Sequence, residues 1–165
     1  MLSPRLEAFF RALDAEVRFD GMRPSLDLIG AAAIELVVGH PRGTNDCDIL
    51  EAWGHNEQVR SELERVGGKG TAFARQTGLY VDIVGNGVPF LPHPPEWLAV
   101  LSLQRFDVRA LAPGDVAVSK LKRFAARDRE DIDALVEGGH VSHERFVERF
   151  RTAVEWASMD AGGER

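Results

Sequence analysis

Residues 42–50 read Arg42-Gly43-Thr44-Asn45-Asp46-Cys47-Asp48-Ile49-Leu50. The breakers Gly39, Pro41 and Gly43 precede this stretch, and from Asp46 onward acidic and apolar side chains alternate. That period of two predicts a strand with Asp46 and Asp48 on one face and Cys47 and Ile49 on the other. The acidic face cannot be core unless its charges have partners, because burying an unpaired carboxylate costs too much.

Working outward, Leu26–Ile29 is a short apolar run ending at Gly30, and Ala31, Ala32, Ala33, Ile34, Leu36 and Val37 follow it. This reads as strand, glycine turn, helix. Downstream, Leu79–Val84 predicts a strand with Tyr80, Asp82 and Val84 on one side. It is expected to pair as a hairpin with Phe73–Gln76 around Thr77-Gly78. Asp82 is thus a third acid inside an apolar strand. If its strand neighbours that of Asp46 and Asp48, three carboxylates converge on one point and can hold one or two Mg²⁺ ions, which favour hard oxygen ligands. The competing reading has the acids facing solvent or pairing with Arg42 or Arg75.

The flanks supply helices. Ser3-Pro4 caps a helix over Pro4–Val17 with Leu6, Phe9, Phe10 and Leu13 at helical spacing. Asn56–Val66 forms another, ended by Gly67-Gly68. Four prolines between Pro89 and Pro95 make an extended connector. Trp97–Leu103 and Phe106–Leu111 are apolar and read either as a strand pair or as a strand with a short helical turn. A helix starting at Pro113-Gly114-Asp115 is expected to carry Val116, Leu121, Phe124 and Ala125. Asp128 caps a second helix bearing Ile132, Leu135 and Val136, ended by Gly138-Gly139. Ser142 caps a last helix with a buried stripe of Phe146, Phe150, Ala153, Val154 and Ala157, and residues 160–165 fray. The expected architecture is one α+β domain over residues 1–165. A small mixed sheet core spans 26–111, with flanking helices and a C-terminal helical segment over 113–158.

Composition bounds the function. The 165 residues carry 20 Lys+Arg against 26 Asp+Glu, net −6, which excludes a nucleic-acid grip through overall basicity. The single Cys47 cannot form an internal disulfide. No apolar run is long enough for a bilayer and the N-terminus lacks a signal-peptide pattern, so a soluble cytoplasmic protein without a membrane partner is expected.

The order of these pieces resembles the nucleotidyltransferase superfamily, the polymerase-β-like fold. There a glycine opens the first helix, an Asp-apolar-Asp pair follows on a strand, and a third carboxylate lies on a later strand. The chain looks closest to the small bacterial branch of uncharacterised or toxin-antitoxin-associated nucleotidyltransferases. Its Arg-x-Thr-x-Asp-x-Asp pattern is matched by Arg42, Thr44, Asp46 and Asp48, and its C-terminal signature by Lys120-Leu121, Arg127-Asp128 and Asp131. The similarity covers Leu26 to Val136. Ala31 stands where that family has Gly or Ser, and Cys47 stands where it has a branched apolar residue.

The resemblance implies transfer of a nucleoside monophosphate from an NTP to an acceptor hydroxyl with release of pyrophosphate. Asp46, Asp48 and Asp82 would be the catalytic metal ligands for Mg²⁺. Gly30, Ala31, Arg42, Thr44 and Lys120 would bind the nucleotide. The acceptor is open between a tRNA end, a protein side chain and a small metabolite. The alternative is a catalytically silent domain of the same fold that binds a nucleotide or a protein partner, as in a toxin-antitoxin pair.

Other features carry less. On a continuous helix Lys120, Arg123 and Arg127 would share one face, which is either a solvated basic face or a phosphate-facing one. Gly67-Gly68-Lys69-Gly70-Thr71 lacks phosphate-loop spacing and reads as a turn. His140 and His143 have no partners at zinc spacing. His40 and His55 flank the acidic pair and could contact substrate, and Trp53 could stack on a base or fill the core.

Overall fold

A computed structural model describes residues 2–39, 41–51 and 56–163. The fold is α+β, and its chain divides into two compact units, residues 1–86 with 97–110 and residues 87–96 with 111–165.

The first unit is built on strands β1 (Ser25–Leu28), β2 (Asp46–Leu50), β3 (Tyr80–Val84), β4 (Trp97–Ser102) and β5 (Asp107–Leu111), in the order β3-β2-β1-β5-β4. The sheet is mixed: β1 is antiparallel to β2 and parallel to β5, and β2 is parallel to β3. Register and alternation separate its faces. Leu26 and Leu28 of β1 align with Val108 and Ala110 of β5, and Leu28 also with Ile49 of β2. These residues, with Cys47 and Val81, are buried on one face. Asp46, Asp48, Tyr80, Asp82, Asp27 and Arg109 fall on the other.

Helices α1 (Pro4–Glu16), α2 (Gly30–Val38) and α3 (Glu57–Gly67) complete the apolar layer, joined by the short α4 (Ala72–Thr77). Ser3 Oγ accepts from the Leu6 N–H, and α1 buries Leu6, Phe9, Phe10 and Leu13 as its spacing predicts. Gly67 ends α3 so tightly that an added Cβ would lie 3.1 Å from Val81 and 3.2 Å from Leu13. Edge-to-face rings extend the core, with Phe9 and Phe10 centroids 5.3 Å apart and Phe10 and Phe106 6.4 Å apart.

One element differs in kind from its sequence reading. Phe73–Gln76, expected as a hairpin strand, lies in α4. Thr71 Oγ1 caps it by accepting from Ala74 N–H at 3.1 Å, and Gly78 closes it at φ +72°. Thr77-Gly78 is therefore a helix terminus, as the glycine's left-handed conformation allows. A parallel β2–β3 pair also demands a crossover, which α3 and α4 provide.

The second unit holds α5 (Pro113–Ser119), α6 (Ala126–Glu137) and α7 (His143–Gly163). The first of these is shorter than expected: Ser119 Oγ donates back to the Val116 carbonyl, and Phe124 adopts φ +51° before α6 begins. Lys120, Arg123 and Arg127 therefore do not share one continuous helix. Asp128 is three residues inside α6 rather than at its cap, and its Oδ2 accepts from the Ala125 N–H at 3.0 Å.

The last helix also departs from expectation. Ser142 caps α7 by accepting from Arg145 N–H, but the helix continues to Gly163 instead of fraying from Asp160. Of its expected stripe Ala153 is buried, while Phe150 and Val154 are exposed. Besides Ala153, α7 buries Arg149, whose Nε and Nη2 meet the two carboxylate oxygens of fully buried Asp115 at 2.6 and 2.9 Å. Its Nη2 also reaches the Pro94 carbonyl at 2.8 Å. Among the described residues no helix is long and apolar enough to cross a membrane.

Candidate functional site

The strand pairing that sets Asp48 opposite Asp82 and Asp46 opposite Tyr80 brings three carboxylates together on the polar face of the sheet. One oxygen from each of Asp46, Asp48 and Asp82 lies within 4.8 Å of the others. Asp46 and Asp48 are partly buried and Asp82 is exposed, so the cluster is open to solvent on the Asp82 side. Three hard oxygen donors with room for further ligands match what a divalent cation such as Mg²⁺ takes from a protein.

Gly30 opens α2 beside this cluster. Its φ is +68°, and an added Cβ would stand 3.1 Å from Asp48 Oδ2, so a side chain there would be strained in its backbone and would press on the carboxylate. No side chain caps this helix, whose N-cap position is Ile29. The residue after Gly30 is Ala31, whose methyl group cannot form a hydrogen bond, so the first turn of α2 offers its backbone N–H groups as donors.

The approach to β2 is braced from below. Thr44 Oγ1 donates to Asp46 Oδ1 at 2.7 Å, fixing that carboxylate. The Thr44 carbonyl accepts from Arg5 Nη2 at 2.9 Å. Buried Glu35 of α2 is the hub: it accepts from Ser3 Oγ at 3.2 Å and from the Arg42 backbone N–H at 3.2 Å, and lies 3.7 Å from Arg5 Nη1. Sequence reasoning singles out Arg42 and Thr44 for the site and Ser3 only as a helix cap, and it misses Arg5 and Glu35. The available signal was one acid inside Ala-Ala-Ala-Ile-Glu-Leu-Val-Val, a helix apolar on every other position.

Two more polar-face features were missed. Asp27 sits inside β1 and is held in two parallel bonds of 2.7 Å by Arg109 Nε and Nη2, with the guanidinium 5.3 Å from the Trp97 ring centroid. It is an acid within an apolar strand, the same signal that picked out Asp82. Tyr80 lies across from Asp46, with Lys69 Nζ 5.6 Å from its ring centroid. Burial first, and then the charges of Asp46, Asp82 and Asp48, push the Tyr80 phenol above its ordinary value.

Cys47 points away from the site into the core, where burial and then Asp46 and Asp48 raise its thiol far above the usual range. His140 and His143 are exposed. His40, Trp53 and His55 lie outside the described residues. Lys120 belongs to the second unit, where its Nζ is 2.9 Å from Asp131 and 3.8 Å from Asp128, both buried. Arg123 completes that cluster with two bonds to Asp128, at 2.8 and 2.9 Å.

A family model described as nucleotidyltransferase of unknown function (DUF6036) matches residues 5–160. Searches of curated proteins and of solved structures returned no significant match.

Proposed function

From the chain's membership of that family of nucleotidyltransferases of unknown function, we propose that it moves a nucleoside monophosphate from an NTP to an acceptor hydroxyl, releasing pyrophosphate. The observation that carries this reading is the convergence of Asp46, Asp48 and Asp82 within 4.8 Å beside the glycine start of α2.

Asp46 and Asp48 would hold the cation, with Asp82 as the third ligand. Bound there, Mg²⁺ supplies charge neutralisation for the phosphate oxygens and acidifies a coordinated hydroxyl. In the transfer, the acceptor oxygen forms a bond to the α-phosphorus as the bond from that phosphorus to the pyrophosphate oxygen breaks. The acceptor proton passes to Asp82, the exposed member of the cluster. Backbone N–H groups at the start of α2 bind the phosphates, which Gly30 permits and Ala31 does not hinder. Thr44 holds Asp46 in place through its 2.7 Å bond, and Glu35 orients the Arg42 backbone.

Thermal unfolding with each of the four NTPs, with and without Mg²⁺, tests the reading without knowledge of the acceptor. A ligand at about 100 times its Kd stabilises the native state by about 2.7 kcal/mol. The wild type is expected to shift with at least one Mg²⁺–NTP, and Asp46→Asn and Asp48→Asn to unfold at or above the unliganded wild-type temperature with no such shift. A wild type that ignores every NTP, or an Asp46→Asn variant that keeps the shift, refutes the assignment.

A further inference from the structure

The two sides of the carboxylate cluster differ. On the β1 side the start of α2 approaches Asp48, and on the β3 side Tyr80 stands opposite Asp46 with Lys69 over its ring. In-line displacement at phosphorus places the entering oxygen opposite the leaving group. With pyrophosphate at the helix start, the acceptor therefore enters over β3, past Asp82 and Tyr80.

The Lys69 loop is built rather than loose. Gly68 pairs with Val81 across an isolated bridge, which ties the loop to β3. An added Cβ at Gly68 would lie 2.4 Å from the Glu64 carbonyl, so the chain turns there as only glycine can. The Gly68 carbonyl accepts from Thr71 Oγ1 at 2.8 Å, and Arg75 Nη1 donates to the Gly70 carbonyl at 2.6 Å. Lys69 itself is exposed, and Tyr80 is half-buried. In a chain of net charge −6, residues 66–81 contain Lys69 and Arg75 and no acid.

Resting on the transfer reading above, we propose that Tyr80 and Lys69 form the acceptor subsite and that the acceptor is the 3′ end of a single-stranded nucleic acid. Its terminal base stacks on the Tyr80 ring, the Lys69 ammonium that lies 5.6 Å from the ring centroid gives way to it, and Lys69 moves onto the adjoining phosphodiester. Rings accept any base face and lysine neutralises one phosphate, the pairing that single-strand binding surfaces use. The chain's net charge of −6 disfavours a long duplex and limits the footprint to the strand end.

The test is fluorescence polarisation of a six-nucleotide RNA bearing a 5′ fluorophore and a free 3′ hydroxyl, run beside the Mg²⁺–NTP thermal shift. Lys69→Gln and Tyr80→Leu are each expected to weaken RNA binding about tenfold, with Tyr80→Phe close to wild type. The Lys69→Gln variant should also flatten the salt dependence by about one phosphate. The nucleotide shift should persist in all three. RNA binding that is absent, or unchanged by both Lys69→Gln and Tyr80→Leu, overturns the subsite while the nucleotide shift upholds the transfer reading. Loss of the nucleotide shift in these variants overturns it differently, by giving the ring to the donor nucleotide. A wild type without any nucleotide shift sinks the transfer reading itself and the acceptor assignment with it.

Discussion

Gly30 and Gly21 both adopt a left-handed backbone, at φ +68° and +66°, yet only Gly30 has a neighbour where a side chain would start. A non-glycine residue in that region costs about 1–2 kcal/mol from backbone sterics alone. Gly21→Ala should therefore lose about that much stability and retain the Mg²⁺–nucleotide shift. Gly30→Ala should lose a similar amount and abolish the shift as well, because its methyl group displaces Asp48. Equal retention in both variants would show that the close approach to Asp48 has no part in binding. The acids at 46 and 48 were legible in the sequence because alternation fixes their face without any knowledge of neighbours. Tyr80 was legible as to its face, but its alignment with Asp46 depends on a parallel register that no local pattern encodes.

Elements are legible where the sequence carries both a period and a cap, as in α1 with Ser3-Pro4 and α3 with Asn56. They are ambiguous where a short stretch satisfies two templates. Phe73-Ala74-Arg75-Gln76 fits a strand fragment, and Thr71 and Gly78, which lie outside it, decide for a helix. At α7 the apolar spacing was real, but Phe150 and Val154 remain exposed and the helix is seated through Arg149. Removing one partner of a buried ion pair strands the other, at about 3–5 kcal/mol. Arg149→Ala should therefore cut stability by about that amount in urea unfolding, leaving Asp115 buried and unpaired. Adding Asp115→Leu to Arg149→Met should restore part of the loss. Recovery stays incomplete because Asp115 Oδ2 also accepts from the Glu96 N–H at 2.7 Å. A near-neutral Arg149→Ala would mean that α7 is held by its apolar contacts after all.

For the whole molecule the main pH lever is acid. Asp128 is held below its ordinary 3.8 first by hydrogen bonds from Arg123, with the Ala125 N–H and Lys120 adding to them against its burial. Asp107 and Glu96 are lowered by Arg23 and Arg145 in the same manner, but both are far more exposed and contribute less. A carboxylate with a lowered folded value binds protons more weakly in the native state than in the unfolded one. Its contribution is thus complete above the ordinary value and drains away as pH falls through the folded one. The urea midpoint should be flat from pH 7 to about 5 and fall below about pH 4, with a shallower fall in Asp128→Asn. An identical slope in that variant would remove Asp128 as a source of acid sensitivity.

The position of β1 between β2 and β5 also sets an order of events during synthesis. Its first partner lies about twenty residues downstream, whereas Asp107–Leu111, the strand on its other edge, follows almost eighty residues later. While the ribosome makes the intervening chain, Leu26 and Leu28 belong to a strand with one unpaired edge, open to any other extended segment nearby. Translation pauses between residues 50 and 107 should therefore lower soluble yield more than pauses after residue 111.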